Sequence, residues 1–151
     1  MIWPSLETFI LKEMNEERLH FIKNYMNKPV YPSPEEVWML NNKRRIRDWL
    51  QINQFAYPGT WCFYTEEEAM KFIEKAPVPI VFKSIHEGVS RGVIICRSRD
   101  EAKKLIKQCF SKGYIPRRTN PRNKQWDFIL FQEYLPEVEE CRMIRIGDTY
   151  L

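Results

Sequence analysis

A chain of 151 residues, 44% hydrophobic and 14% aromatic, has the size and composition of one packed domain, which excludes a disordered polypeptide. It is too short to hold two full lobes with a cleft between them, so any two-lobed enzyme would be incomplete in it. The net charge of +4 arises from 24 basic and 20 acidic residues, a mild excess, and no apolar run approaches the roughly 20 residues that a membrane-spanning helix needs.

Residues 5–26 repeat apolar side chains at an imperfect helical spacing, predicting one or two amphipathic helices with a break near Asn15. Pro32-Ser33-Pro34-Glu35-Glu36 opens the next helix, with Ser33 as cap, Pro34 in its first position and two glutamates at the positive end of its dipole. That helix is expected to reach Ile52 and to bury Val37, Leu40, Ile46, Trp49 and Leu50. Tyr57-Pro58-Gly59 is a turn, residues 61–64 form an aromatic strand, and Thr65-Glu66-Glu67-Glu68 is a capping box for a helix over residues 66–75.

Residues 78–82 and 92–96 are β-prone apolar runs on either side of a glycine-containing turn, predicting an antiparallel hairpin. Ser98-Arg99-Asp100-Glu101 is a second capping box, opening a helix that buries Ala102, Leu105, Ile106 and Cys109 and stops at Gly113. Residues 114–125 are polar and basic and predict a mobile loop. Strands are expected over 127–132 and 141–146, and Gly147-Asp148 turns into a last one.

Cys62, Cys96, Cys109 and Cys141 include no Cys-x-x-Cys pair, and His20 and His86 sit near none of them, which argues against zinc. No charged-then-apolar leader opens the chain. A cytoplasmic, reducing location is therefore expected, with the cysteines as core residues. Two basic clusters, residues 43–47 and 117–124, could meet phosphates of a nucleotide or of nucleic acid, although a solvated surface is the plainer reading of either one alone.

Polyphosphate requires backbone N–H groups that it can approach closely and a fixed cation. The turn over residues 85–91 offers both: Gly88 and Gly92 permit close approach, Ser90 adds a hydroxyl, and Lys83 ends the preceding strand. A second segment, Gln132-Glu133-Tyr134-Leu135-Pro136, lets a strand run into a proline-broken connector whose unpaired backbone groups suit an adenine edge. Glu139 and Glu140 follow where a carboxylate could meet ribose hydroxyls. A flexible hairpin and a plain crossover are the alternatives for the two segments taken singly.

In succession, Asn42-Lys43, Pro58, Pro79-Ile80-Val81-Phe82-Lys83, Glu87-Gly88-Val89-Ser90-Arg91-Gly92-Val93 and Gln132-Glu133-Tyr134-Leu135 resemble the ATP-grasp superfamily. The turn looks most like that of D-alanine–D-alanine ligases. Gln132-Glu133-Tyr134-Leu135 and Glu140-Cys141-Arg142 look more like ribosomal-protein glutamate ligases. The resemblance implies an α+β fold, an antiparallel sheet with packed helices, over residues 32–151, preceded by a short helical segment over 1–31.

The resemblance further implies that Lys43 and Lys83 contact nucleotide phosphates and that Glu87, Gly88, Ser90 and Gly92 form a flap over them. Groups near Gln132, Glu133, Tyr134 and Leu135 would grip adenine, and Glu140, or alternatively Glu139, the ribose, with Arg142 beside it. ATP and Mg2+ are the implied cofactors. The implied reaction activates a carboxylate as an acylphosphate for attack by an amine or thiol, with substrates unspecified.

Ser84 departs from the proline that often follows the strand lysine. The family's metal-binding acids lie downstream of the acid-x-Arg segment, so the nucleotide-binding region is expected to be incomplete at its C-terminal end and the isolated chain inactive. Catalytic residues and metal ligands are not identified. Two other readings stay open: a nucleic-acid-binding or protein-interaction domain using residues 43–47 and 117–124, with Tyr114 and Trp126 as stacking groups, and a catalytically inactive remnant. Self-association is also left open.

Overall fold

The computed structural model describes residues 8–40, 42–84, 92–139, 141 and 143–150. Helix α1, Phe9–Asn24, starts at Thr8, whose hydroxyl accepts from the Leu11 N–H. It contains neither proline nor glycine and runs through Asn15 without the expected break. Helix α2, Pro34–Leu40, opens with a reciprocal capping box: the Glu36 N–H donates to Ser33 Oγ at 3.1 Å, and the Ser33 N–H donates to the Glu36 carboxylate at 2.6 Å.

The single helix expected over 34–52 is two. Asn42 adopts an extended conformation, and its side chain accepts from the Arg44 N–H at 2.9 Å, capping a separate helix α3, Lys43–Ile52. A short amide side chain that bonds the backbone ahead of it competes with helical continuation and favours a fresh start. The burial expected along this stretch holds for Val37 but not for Leu40, 76% exposed, or Trp49, 44% exposed. Trp49 instead stacks on Phe55 at 5.4 Å.

Strand β1, Thr60–Phe63, leads into α4, Glu66–Lys75, where Thr65 accepts from the Glu68 N–H. Strands β2, Ile80–Lys83, and β3, Val93–Cys96, form the expected hairpin, with Lys83 opposite Val93, and the Ser84 N–H extends it to the Gly92 carbonyl at 2.7 Å. Helix α5, Arg99–Ser111, is capped by Ser98 and closed by Gly113, whose φ of +77° a side chain would strain.

Strand β4, Ile129–Glu133, starts two residues later than expected, because Asp127 takes a φ of +56° and turns its N–H to the Cys109 carbonyl. The strand predicted over 141–146 shortens to β5, Arg145–Ile146, paired with β6, Thr149–Tyr150. The loop predicted as mobile has fixed points. Tyr114 and Gln125 exchange backbone hydrogen bonds, Pro121–Asn123 form a 3-10 turn, and Asn123 and Gln125 are buried.

The four main strands make an antiparallel sheet in the order β1-β4-β2-β3. Strand alternation gives it two unlike faces. Ile80, Phe82, Cys96, Ile129 and Phe131 point toward α4 and α5, which contribute Ala69, Ile73, Ala102 and Ile106 to one continuous core. Each large side chain so buried contributes roughly 1.5–3 kcal/mol. Cys96 and Cys109 are core residues as expected, their thiol pKa values pushed up by burial to about 11 and about 12. Cys62 is only half-buried and Cys141 is exposed, against expectation, since neither lies in the core beneath α4 and α5. Among the described residues, no helix is long and apolar enough to cross a membrane.

Candidate functional site

The other face of the sheet holds a cavity of about 250 Å3. Its floor is Thr60 of β1, Leu130 and Gln132 of β4, and Lys83 of β2. Period-two alternation explains the set: Leu130 and Gln132 face opposite to Ile129 and Phe131, and Lys83 opposite to Phe82. Its roof is α3, through Lys43, Ile46, Arg47 and Leu50. Those positions are spaced i, i+3, i+4 and i+7, one stripe of a helix, and the Tyr57-Pro58 turn closes the side.

Among the described residues, Lys43, Arg47 and Lys83 line this cavity and no carboxylate does. Lys43 is the first residue of α3, where the dipole is positive, and its Nζ donates to the Ser84 carbonyl at 2.7 Å. That bond ties the start of α3 to the end of β2. Arg47 is held by Asp48 at 2.7 Å. Gln132 donates through Nε2 to Thr60 Oγ1 at 2.9 Å, and Thr60 donates in turn to the Pro58 carbonyl at 2.7 Å, fixing the amide on the floor. Cys62 lies on this face, and burial raises its thiol pKa. A cavity with three cations on two elements and a fixed amide suits an anion carrying several oxygens.

A family profile for the RimK-like ATP-grasp domain matches residues 40–149. The chain belongs to the RimK-like ATP-grasp family. Among solved structures, this RimK-like domain is similar to a RimK-domain ATP-grasp protein from Sphaerobacter thermophilus DSM 20745, at 18% identity and a TM-score of 0.56. It covers 80% of this chain and 42% of that one. D-alanine–D-alanine ligase from Helicobacter pylori matches at 12% identity and a TM-score of 0.60, covering 90% of this chain and 38% of that one. This domain thus spans less than half the length of either. At such identities the likeness shows the fold, which is the ATP-grasp α+β fold that the sequence pattern implied. No curated protein sequence matches.

Of the residues expected in the site, the ATP-grasp fold brings Lys43, Lys83 and Gln132 together around the cavity. Glu133 does not line it. Alternation turns its side chain to the opposite face, where Oε2 accepts from the Gly59 N–H at 3.1 Å while the backbones pair at 2.7 Å, so it secures the start of β1. Tyr134 is half-buried just after β4, Leu135 and Glu139 are exposed, and Gly92 is buried beside Ser84. Glu87, Gly88, Ser90, Glu140 and Arg142 lie outside the described residues.

Ile46, Leu50, Tyr57, Thr60 and Leu130 were not anticipated in the site, whereas Arg47 belongs to the basic cluster 43–47 expected to be able to meet phosphates. The signals existed: the helical stripe that begins at Lys43, and the alternation that makes Leu130 the companion of Gln132. The rest of the basic run is engaged inside the domain. Arg44 lies over the Phe128 ring at 4.7 Å and donates to Tyr64 Oη, while Arg45 pairs with Glu16 and lies over Trp38 at 4.3 Å. As for magnesium, the described residues contain no group of three or more acid, histidine or cysteine side chains able to hold an ion. They do not fit the metal by themselves, and no chemical step is derived through it.

Proposed function

We propose that the cavity between α3 and the sheet binds the phosphate portion of an adenine nucleotide, and that the chain serves an ATP-dependent carboxylate–amine or carboxylate–thiol ligase. The observation that supports this most is the convergence of Lys43 and Lys83, 40 positions apart in sequence, with Arg47 on one cavity in an ATP-grasp fold. Its volume, about 250 Å3, is below the ~300–1,000 Å3 usual for a small-molecule pocket, so it suits part of a nucleotide rather than all of one.

The two lysines supply point charges to phosphate oxygens, and the α3 N-terminus adds a helix dipole of the same sign. Glu87, Gly88, Ser90 and Gly92 act as the flap, the backbone at Tyr134 and Leu135 grips adenine, and Glu140 meets the ribose. In the reaction, a substrate carboxylate oxygen attacks the γ-phosphorus and ADP leaves. The amine or thiol then attacks the acyl carbon of the acylphosphate, and inorganic phosphate leaves. The cations offset negative charge that builds on the transferring phosphoryl group.

Calorimetry with ATP and Mg2+, repeated with GTP and on Lys83→Ala, tests the binding step. Saturable heat with ATP, weaker heat with GTP and a loss of at least about ten-fold in affinity in the variant are expected. Absence of heat and of a thermal shift in the wild type contradicts nucleotide binding by this chain.

A further inference from the structure

Residues 112–127 hold Lys112, Arg117, Arg118, Arg122 and Lys124 against the single acid Asp127. From totals of 24 basic and 20 acidic residues, that leaves 19 of each sign elsewhere, so this one segment accounts for the whole +4 of the chain. On α3, Arg44 and Arg45 are engaged by contacts within the domain, and Lys43 and Arg47 line the cavity. Arg117, Arg118 and Arg122 are exposed and form no ion pair with any described residue.

The segment is also held in shape. Tyr114 packs edge-on against Phe82 at 4.8 Å and exchanges backbone hydrogen bonds with Gln125 at 2.9 and 2.8 Å. Thr119 donates to the Pro116 carbonyl at 2.8 Å, and Asn120 caps the 3-10 turn by accepting from the Arg122 N–H at 3.0 Å. Arg118 sits at φ +57°, a conformation uncommon for a residue with a Cβ. Like charges are thus presented on a loop that needs little ordering on binding, which lowers the entropic cost of association.

We propose that this loop is a docking surface for an acidic peptide segment. Phe82 faces away from the cavity, so the loop is anchored on the helical side of the sheet, apart from the nucleotide pocket, and the inference does not depend on that pocket's ligand. Guanidinium forks match carboxylates bidentately, and the exposed side chains of Ile115 and Trp126 beside them offer apolar contact to a peptide. A single nucleic-acid strand fits less well. Strand binding uses a series of aromatic faces; here Tyr114 is buried, and Lys124 Nζ lies 4.6 Å from the centre of the Trp126 ring.

The test is fluorescence anisotropy of the full chain with a labelled glutamate–glycine peptide, run beside an oligothymidylate of equal charge. The variants are Arg117→Gln/Arg118→Asn/Arg122→Gln together and, in case the triple variant misfolds, Arg117→Gln and Arg122→Gln singly, each checked by circular dichroism. The peptide is expected to bind at low salt and weaken as salt rises, to lose about ten-fold in the triple variant and less in each single one, and to exceed the oligonucleotide by a similar factor. No peptide binding, binding unchanged in the folded variants, or an oligonucleotide that binds as tightly as the peptide overturns the proposal.

Discussion

The two faces of the β1-β4-β2-β3 sheet come from the same strands and do opposite work. In β2, Ile80 and Phe82 join the core under α4 and α5, while Lys83 turns to the cavity under α3. In β4, Ile129 and Phe131 are core and Gln132 is cavity floor. The helical face is closed, apolar and aromatic, with Phe131 6.4 Å from Phe82 and 6.5 Å from Phe72. The other face is open and cationic. If the cavity binds nucleotide as proposed, stability and ligand affinity are separable one residue apart along a strand.

Substitutions on each face sharpen or break that separation. Phe131→Ala removes a fully buried ring and should cost about 3–5 kcal/mol, read as a lower denaturation midpoint. A loss below about 1 kcal/mol would mean that the core does not rest on that ring. Lys83→Ala should leave stability within about 1 kcal/mol yet weaken ATP binding by about 1.5–3 kcal/mol. Equal losses of stability and affinity would erase the distinction between the faces.

Gly113→Ala strains a φ of +77° and brings its Cβ within 2.5 Å of the Lys124 stem, so chemical denaturation should show a loss of about 1–2 kcal/mol. Smallest is the pH effect. Cys96 and Cys109 titrate near 11 and 12 when folded against an ordinary value of 9.0, so the folded state keeps protons that the unfolded chain releases. Their contribution is complete well below pH 9.0 and is lost as pH rises toward those folded values, by about 1 kcal/mol for the pair at pH 9. Serine at both positions should flatten that part of the profile.

Much of this was legible in the sequence. Capping residues announced α4 and α5 by fixed local chemistry, and hydrophobic runs flanking a glycine-containing turn announced the β2–β3 hairpin. The α2–α3 break was missed because Asn42 inside an apolar helical pattern reads equally as a surface residue or as a cap. That error also misplaced Lys43, read as a mid-helix lysine although it begins α3 and reaches Ser84. Motif order singled out Lys43, Lys83 and Gln132. It could not separate Gln132 from Glu133, since opposite orientations follow only once the strand's faces are assigned. Thr60 stayed hidden because its partner Gln132 lies on the neighbouring strand, a matter of packing rather than of local pattern.

Hydrogen–deuterium exchange of the intact chain with and without ATP and Mg2+ tests the central claim most directly, since it reports where a nucleotide acts. The account predicts added protection at the start of α3, the end of β2 and the segment that follows Gln132, with α4 and the middle of α5 unchanged. No added protection, or protection confined to α4 and α5, would contradict it.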